Sequence, residues 1–530
     1  MDLLQRLRKH VLRDSLPVTV LEWPYPGAGT PEDPYRVTWI ESDPANPYNL
    51  SATRKWLITT LTGIQVLAVT FASSAYSGAI TEIKAQFGVS TVVVTLGISL
   101  FVLGFALGPL IWAPLSEVYG RKLIFLISFG AMTAFDIGAA FAPSFAALAI
   151  LRFLAGALGS AIMATFGGVI ADIFAPSDRG IAVSLLALAP GMGPVLGPIA
   201  GGFLGEAGGW RWVLRMIAIF AGGVLVASAA AVPETYAPVL LRRRAARLCA
   251  AKGACYRSER DLADGAEKTL ARELQTSLGR PWVLLAVEPI VLLLSVYVAI
   301  VYGTLYMLFA AFPVVFQVHR GWSAGVSGLA FVGVAVGMLV ATLWAIVDNG
   351  RYARLCVKHG GMPPPETRLP LTMVGGVALP VGLFWFAWTN YDSIHWIVPI
   401  IAGGFIGLGI TFILISLINY LVDSYTIFAA SVLAANNALR SVFAAAFPLF
   451  TPAMYDNLGV HWASSVPAFL ALACAPLPFL FHKYGAAIRH KCKYAAESAA
   501  FVEKMKERAR AEPSMAETSS EKDSDVEAAK

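Results

Sequence analysis

Three charges fall well inside long apolar runs: Asp136, Arg152 and Arg440. A charge at mid-bilayer depth costs of order 2.5–3.5 kcal/mol by insertion scales, so each must face protein or water. Asp136 is the only carboxylate deep in such a run. A carboxylate there can take up a proton or release an arginine partner, and either event can be coupled to a second one. Asp136 and Arg152 are therefore the candidates for proton coupling, with a structural pair or a polar lining group as the equal alternative for Asp136. A second set of residues could bind rather than react. Tyr302, Tyr306 and Phe309 recur at helical spacing, as do Asn436, Asn437 and Arg440. Aromatics at that spacing are more commonly core packing, but paired asparagines in lipid need partners and so face inward. A surface mixing rings with a few amides suits amphipathic organic molecules.

Enzymatic chemistry finds one foothold. Gly321-Trp322-Ser323-Ala324-Gly325 matches a nucleophile elbow in letters, yet it sits where a loop enters a helix, with no preceding strand and no aspartate and histidine to complete it. A phosphate loop ending in Gly-Lys-Ser/Thr is absent, which argues against direct ATP drive. No metal-ligand spacing and no cofactor motif is present, and the chain is read as a non-enzyme.

The elements that must hold these residues are set by composition. Of 530 residues, 57% are hydrophobic and only 14% charged, and the mean hydropathy is +0.65; this is far outside the range of soluble domains. Runs of about 20 apolar residues give twelve expected spans, near 57–80, 91–115, 123–142, 145–171, 181–205, 212–232, 289–316, 323–347, 371–389, 396–421, 427–453 and 462–482. An even number puts both termini on one face. Arg121, Lys122, Arg179, Arg242, Arg243, Arg244, Arg247, Arg351, Arg354 and Arg368 all fall in loops of that face, against Lys84, Arg211 and Arg320 opposite, so the termini are expected in the cytoplasm. Trp210, Trp212, Trp322, Trp388, Trp396 and Trp462 lie at expected outer ends, where amphipathic rings anchor. The net charge of +6 is explained by this orientation and needs no nucleic-acid partner. Cys249, Cys255, Cys356 and Cys492 fall in cytoplasmic segments and Cys474 in a span, so no disulfide framework is expected.

The expected layout is a cytoplasmic N-terminal segment (1–56), a six-helix bundle (57–232), a cytoplasmic linker (233–288), a second six-helix bundle (289–482) and a largely disordered cytoplasmic tail (483–530) with Ser519, Ser520 and Ser524 among acids. The first segment lacks a signal peptide's short apolar core, so the first span doubles as the membrane address. Asn49-Leu50-Ser51 is a glycosylation sequon in form that topology places inside the cell. Asp348-Asn349-Gly350-Arg351, after the eighth span, echoes the acid, glycine and arginine order of the turn after the second.

That turn is Ala113-Pro114-Leu115-Ser116-Glu117-Val118-Tyr119-Gly120-Arg121-Lys122. A hairpin this short returns the chain at one membrane face, with Gly120 in a conformation a side chain resists. Glu117 sits near a helix C-terminus, where the macrodipole disfavours a carboxylate unless a cation compensates; Arg121 is the expected cation. In the fifth span, Gly193, Gly197 and Gly201, with Gly202, form a small face that another helix can approach closely, and the eighth span with Gly333 and Gly337 is the expected partner. Pro194 and Pro198 remove backbone donors and bend that helix.

The turn resembles the loop after the second helix of major facilitator superfamily transporters. Together with the doubled Gly-Pro series, Arg152 with Gly156, Asn46-Pro47-Tyr48-Asn49, Pro233-Glu234-Thr235-Tyr236-Ala237-Pro238, Tyr302-Gly303 with Tyr306, Pro365-Glu366-Thr367-Arg368-Leu369-Pro370, and His395-Trp396 followed by Pro399, it is similar to the fungal twelve-helix drug:proton antiporter family, the branch of polyamine and cycloheximide-resistance transporters. The usual first glycine of the turn is Ala113 and the usual aspartate is Glu117. The resemblance implies an all-α membrane protein of major facilitator fold, its two bundles rocking around a midplane cavity. It implies that Glu117, Gly120, Arg121 and Lys122 form a cytoplasmic gate with Glu117 as a state-dependent clamp. It also implies that the fifth-helix motif hinges at the domain interface and that Arg152 takes part in proton movement.

The expected function is proton-coupled export of a small organic molecule by a monomer in the lipid bilayer, at the plasma membrane or, with the same orientation signals, a vacuolar one. Transport of a polyamine or an organic acid is the alternative, although a polycation would favour more acids than Asp136. A non-transporting sensor or scaffold is the reading from a different class.

Overall fold

The computed structural model describes residues 17–174, 179–186, 188–263, 270–359, 363–391 and 393–505; Ser519, Ser520 and Ser524 of the tail lie outside them. The chain divides into two compact units, Met1–Gly279 and Arg280–Lys530.

Within the first unit the membrane-crossing helices are α1 (Ala52–Ala75), α2 (Thr91–Tyr119), α3 (Arg121–Ala140), α4 (Phe145–Ile173), α5 (Ala189–Gly208) and α6 (Trp210–Ala231). Helix is the form that satisfies every backbone N–H and C=O inside one segment, which lipid demands. Local chemistry sets the ends. Ser90 Oγ accepts from Val93 N–H and Ser144 Oγ from Ala147 N–H, capping α2 and α4. Gly120, at φ 101°, separates α2 from α3 with no intervening loop.

The second unit holds α7 (Pro289–Phe312), which continues into a π-helical turn over Pro313–His319, then α8 (Phe331–Lys358), α9 (Leu369–Trp388) and α10 (Ile397–Ser424). A final stretch, Ala429–Cys474, is broken at Gly459, whose φ of 73° no helix accommodates; this gives α11 (429–458) and α12, which starts at 460 and goes on as Pro476–Lys491. Ten apolar stretches among the described residues are long enough to cross a membrane. The glycine–proline helix α5 and the division at Gly459 bring the spans to the twelve read from hydropathy.

The segments flanking the spans are more ordered than their polar composition implies. β1 (Tyr35–Val37), ahead of α1, pairs in parallel with β2 (Tyr256–Ser258) of the linker, Tyr35 opposite Tyr256 and Val37 opposite Ser258. The linker helix Ala237–Lys252 adds Ala245 and Leu248 to a small core with Tyr25, Val37 and Tyr256. Arg244, read from sequence as part of a basic cluster that marks orientation, is also buried 2.5 Å from Asp43 with its guanidinium over the Trp39 ring. Residues 493–505, placed in the tail by composition, are helical. The fully buried Glu288 accepts hydrogen bonds from Tyr494 N–H and Tyr425 Oη, both at 2.8 Å, and so fastens that helix to the start of α7.

Candidate functional site

Because Gly120 ends α2 abruptly, the first N–H groups of α3 have no helical acceptor. Glu234 supplies one: its carboxylate accepts from Arg121 N–H at 2.9 Å and Lys122 N–H at 3.3 Å. A Cβ at position 120 would stand 2.2 Å from Glu234 Oε2, so glycine is required by space as well as by φ. The Arg121 side chain turns away from Glu117. Its Nε reaches Asp172 at the end of α4 (3.3 Å), its Nη1 donates to Ser116 Oγ (2.6 Å), and its guanidinium lies over the Tyr236 ring. Lys122 Nζ donates to the Ala229 carbonyl of α6. The expected compensation of Glu117 by Arg121 is therefore not made, because the helix stops one residue before Gly120 and the arginine points to α4. Glu117 is exposed and stands 4.0 Å from Arg260 of the linker.

The same construction recurs in the second unit. Arg368, at the start of α9, pairs with Asp423 at the end of α10 (2.9 Å) and lies over the Tyr352 ring, as Arg121 pairs with Asp172 and lies over Tyr236. Arg489 of α12 forks onto Glu366 at the mouth of α9 at 2.7 and 2.8 Å, tying the last helix of that unit to its third, as Glu234 does in the first. The Asp348–Arg351 echo is a pair within one helix, at 2.7 Å, from which Arg351 also reaches the Thr367 carbonyl. Asp172, Asp423 and Arg489 were missed as functional candidates. The signal that locates their surroundings is the repeated Pro-Glu-Thr of Pro233-Glu234-Thr235 and Pro365-Glu366-Thr367.

Asp136 of α3 and Arg152 of α4 are 1% and 0% exposed and 3.9 Å apart. Arg152 donates from Nε to the Gly97 carbonyl of α2 and from Nη2 to the Ala72 carbonyl of α1, at 3.1 and 2.8 Å, with its guanidinium over the Phe101 ring. One side chain thus braces α1, α2 and α4 and faces a carboxylate on α3. Neither Asp136 oxygen accepts a hydrogen bond. Among the described residues its charge is held by the field of Arg152, which makes it the group in this cluster whose protonation breaks no hydrogen bond.

The fifth-helix glycines pack on α1. A Cβ on Gly193 or Gly197 would lie 2.0 Å from Thr70 Oγ1 or Ser74 Oγ, and one on Gly201 2.1 Å from the Ala75 carbonyl; Ser74 Oγ also donates to the Gly193 carbonyl. Pro194, Pro198 and Gly202 are buried in the same helix, which runs on through both prolines. Gly333 and Gly337 face the Ile400 and Gly404 carbonyls of α10. Glycine stripes look alike, so spacing alone does not say which helix within a unit each one meets.

On α7, Tyr302, Tyr306 and Phe309 are buried and touch in succession, tilted and then edge to face, their ring centroids 5.1 Å apart at each step. Arg440 of α11 lies over the Tyr302 ring and donates twice to Asn437 Oδ1. Asn436 takes another direction and donates to Ser295 Oγ of α7, so the paired asparagines serve separate contacts. Arg440, Asn437 and Tyr302 form one polar–aromatic cluster. A fourth charge within a span, Arg215 of α6, escaped the sequence reading.

Comparison with known proteins supplies the class. A family model described as Major Facilitator Superfamily matches residues 62–448. The chain belongs to the major facilitator superfamily. It is 56% identical over 92% of its length, and 82% of the relative's, to the MFS-type efflux pump MFS2 of Trichophyton rubrum. To the major facilitator superfamily multidrug transporter mdrA of Aspergillus fumigatus it is 55% identical, over 93% of this chain and 81% of that one. Among solved structures it is similar in fold to the proton:xylose symporter XylE, with a TM-score of 0.60 at 18% identity, over 82% of this chain and 96% of that one. As a major facilitator protein the chain is a multi-pass membrane transporter, and its internally repeated ties fit a fold built from parallel repeats.

Proposed function

We propose that this chain exports a small organic molecule from the cytoplasm by alternating access, as a monomer, and that protons entering the cell drive it. The observation that carries the reading is identity above half, over more than nine-tenths of the chain, to proteins named as an efflux pump and a multidrug transporter. The cluster of Tyr302, Asn437 and Arg440 fits an amphipathic substrate, since rings give apolar area and the amide and guanidinium fix orientation.

Coupling is assigned to Asp136. While charged, it balances Arg152 in a fully buried setting, where a guanidinium needs a counter-charge. Once protonated, it withdraws the counter-charge from Arg152, whose Nε and Nη2 donate to carbonyls of α2 and α1, and this favours a rearrangement of the helices that Arg152 braces. Glu234, Arg121 and Asp172, with Glu366, Arg489, Arg368 and Asp423, act as ties at the face of the Gly120 turn that each unit keeps closed or releases. The anion-binding role that an organic-acid transporter would ask of Arg152 is disfavoured, because its Nε and Nη2 already serve the Gly97 and Ala72 carbonyls and its Nη1 faces Asp136.

Reconstitution in vesicles with an imposed pH gradient tests this. Efflux of a fluorescent amphipathic drug should rise with the gradient and collapse when an ionophore dissipates it. Flux indifferent to the gradient overturns the coupling, and absence of any solute flux favours the sensor or scaffold reading.

A further inference from the structure

We infer that Arg215 is the phosphate-binding residue of a bound glycerophospholipid in the leaflet opposite the Gly120 turn. On α6, at 3.6 residues per turn, Trp212, Arg215, Ile219 and Val226 fall within about 60° of one another. Trp212, Ile219 and Val226 are 47%, 68% and 70% exposed. In a membrane protein such a stripe faces acyl chains. Arg215 is the one charge on it.

A guanidinium on a lipid-facing stripe needs an anion. Among the described residues no carboxylate lies within ion-pair distance of Arg215, and its Nε is buried without a hydrogen-bond partner. The polar side chains at this end of α6 are engaged elsewhere. Glu82 accepts from Trp210 N–H at 2.5 Å, and Gln86 accepts from Trp210 Nε1 and Arg211 Nη1 at 2.6 and 3.0 Å. What Arg215 does touch is aromatic: its guanidinium lies 5.0 Å from the Trp212 ring and 5.3 Å from that of Phe141, the residue just past α3, which is itself 64% exposed.

Depth and direction fit a phospholipid phosphate. Arg215 is five residues into α6, about 7.5 Å below its start at 1.5 Å per residue. Helix side chains lean toward the N-terminus, and the contact with Trp212, three residues earlier, shows this one doing so. The charged head thus snorkels from the edge of the hydrocarbon to headgroup level, where the N-terminal end of the helix dipole also favours an anion. Two exposed rings flank the site, and Ile219 and Val226 continue below it, giving an acyl chain a track that inorganic phosphate has no use for.

Native mass spectrometry of the purified, delipidated full chain tests the assignment, with dioleoyl phosphatidylglycerol as probe and inorganic phosphate in a parallel arm. Wild type should retain a single tight lipid adduct and gain thermal stability from the lipid. Arg215→Gln should bind it at least about tenfold more weakly, Arg215→Lys should fall between, and Trp212→Ala should weaken it with the charge intact. Inorganic phosphate should neither displace the lipid nor raise the melting temperature. Equal lipid binding by wild type and Arg215→Gln overturns the proposal, as does a melting shift from inorganic phosphate equal to that from lipid. If Arg215→Gln does not fold, the lysine and Trp212→Ala variants decide, and unchanged binding in both counts against it.

Discussion

Asp136 faces Arg152 at 3.9 Å, yet neither of its oxygens accepts a hydrogen bond, while Arg152 is anchored to the Gly97 and Ala72 carbonyls. Anchor and counter-charge are thus separable. Asp136→Asn should leave a folded protein whose drug efflux no longer responds to a pH gradient. Arg152→Lys, which keeps the charge but cannot reach two carbonyls with one planar fork, should cost folding stability as well as flux. Vesicle transport beside thermal melting in detergent separates the two, and an Asp136→Asn protein with full gradient response refutes the assignment.

The helix-capping role of Glu234 predicts a stability defect. Glu234→Ala strips two α3 N–H groups of their acceptor and should cost about 1–2 kcal/mol. Gly120→Ala should cost at least as much, since φ is 101° and the new Cβ would collide with Glu234. Combining them should relieve the collision but not the φ strain, so the double variant should be less damaged than the sum. Melting temperatures report all three.

Ion pairs between helices should outweigh the one within a helix. Arg368→Ala, which removes the α9–α10 tie and the stacking on Tyr352, should lower melting by more than Arg351→Ala, whose acid is three residues away on the same helix and worth a few tenths of a kcal/mol. A double-mutant cycle on Arg368 and Asp423 should give a coupling of about 0.5–3 kcal/mol. Zero coupling would make that tie decorative.

At the α1–α5 seam, Gly201→Ala should be more harmful than Gly197→Ala. The first meets a backbone carbonyl, that of Ala75, whereas the closest obstacle to the second is Ser74 Oγ, which can rotate. Overpacking of this kind costs about 1–3 kcal/mol. The reverse ranking in melting temperature would contradict the observed pairing of α5 with α1.

The N-terminal segment and linker should part in acid. Burial alone would raise the Asp43 carboxyl, but hydrogen bonds from Arg244 and Ala45 N–H, with the Arg244 charge, hold it below the usual carboxylate value. A carboxyl depressed in the folded state stabilises above its unfolded value, about 4, and that stability drains as pH falls through the folded one. Amide exchange over Tyr35–Val37 and Tyr256–Ser258, taken relative to the intrinsic rate at each pH, should therefore stay slow at neutral pH and quicken below about pH 4. Asp43→Asn should quicken it at neutral pH and flatten the acid dependence.

Hydropathy alone determined the twelve spans, since an apolar run of that length has one stable form in lipid, and turn chemistry, glycine spacing and charge within the runs located Gly120, the small face of α5 and the buried Asp136 and Arg152. These are local properties: a run, a turn, a spacing. What the tertiary structure decided were partners. It sent Arg121 to Asp172 and not to Glu117, set the α5 glycines on α1, split Asn436 from Asn437, drew Arg244 into a core with Asp43, and left Arg215 facing outward without an acid. The physical reason is that residues of one type at one spacing present the same face to any helix. Which helix arrives, and which charge with it, depends on segments up to hundreds of residues away.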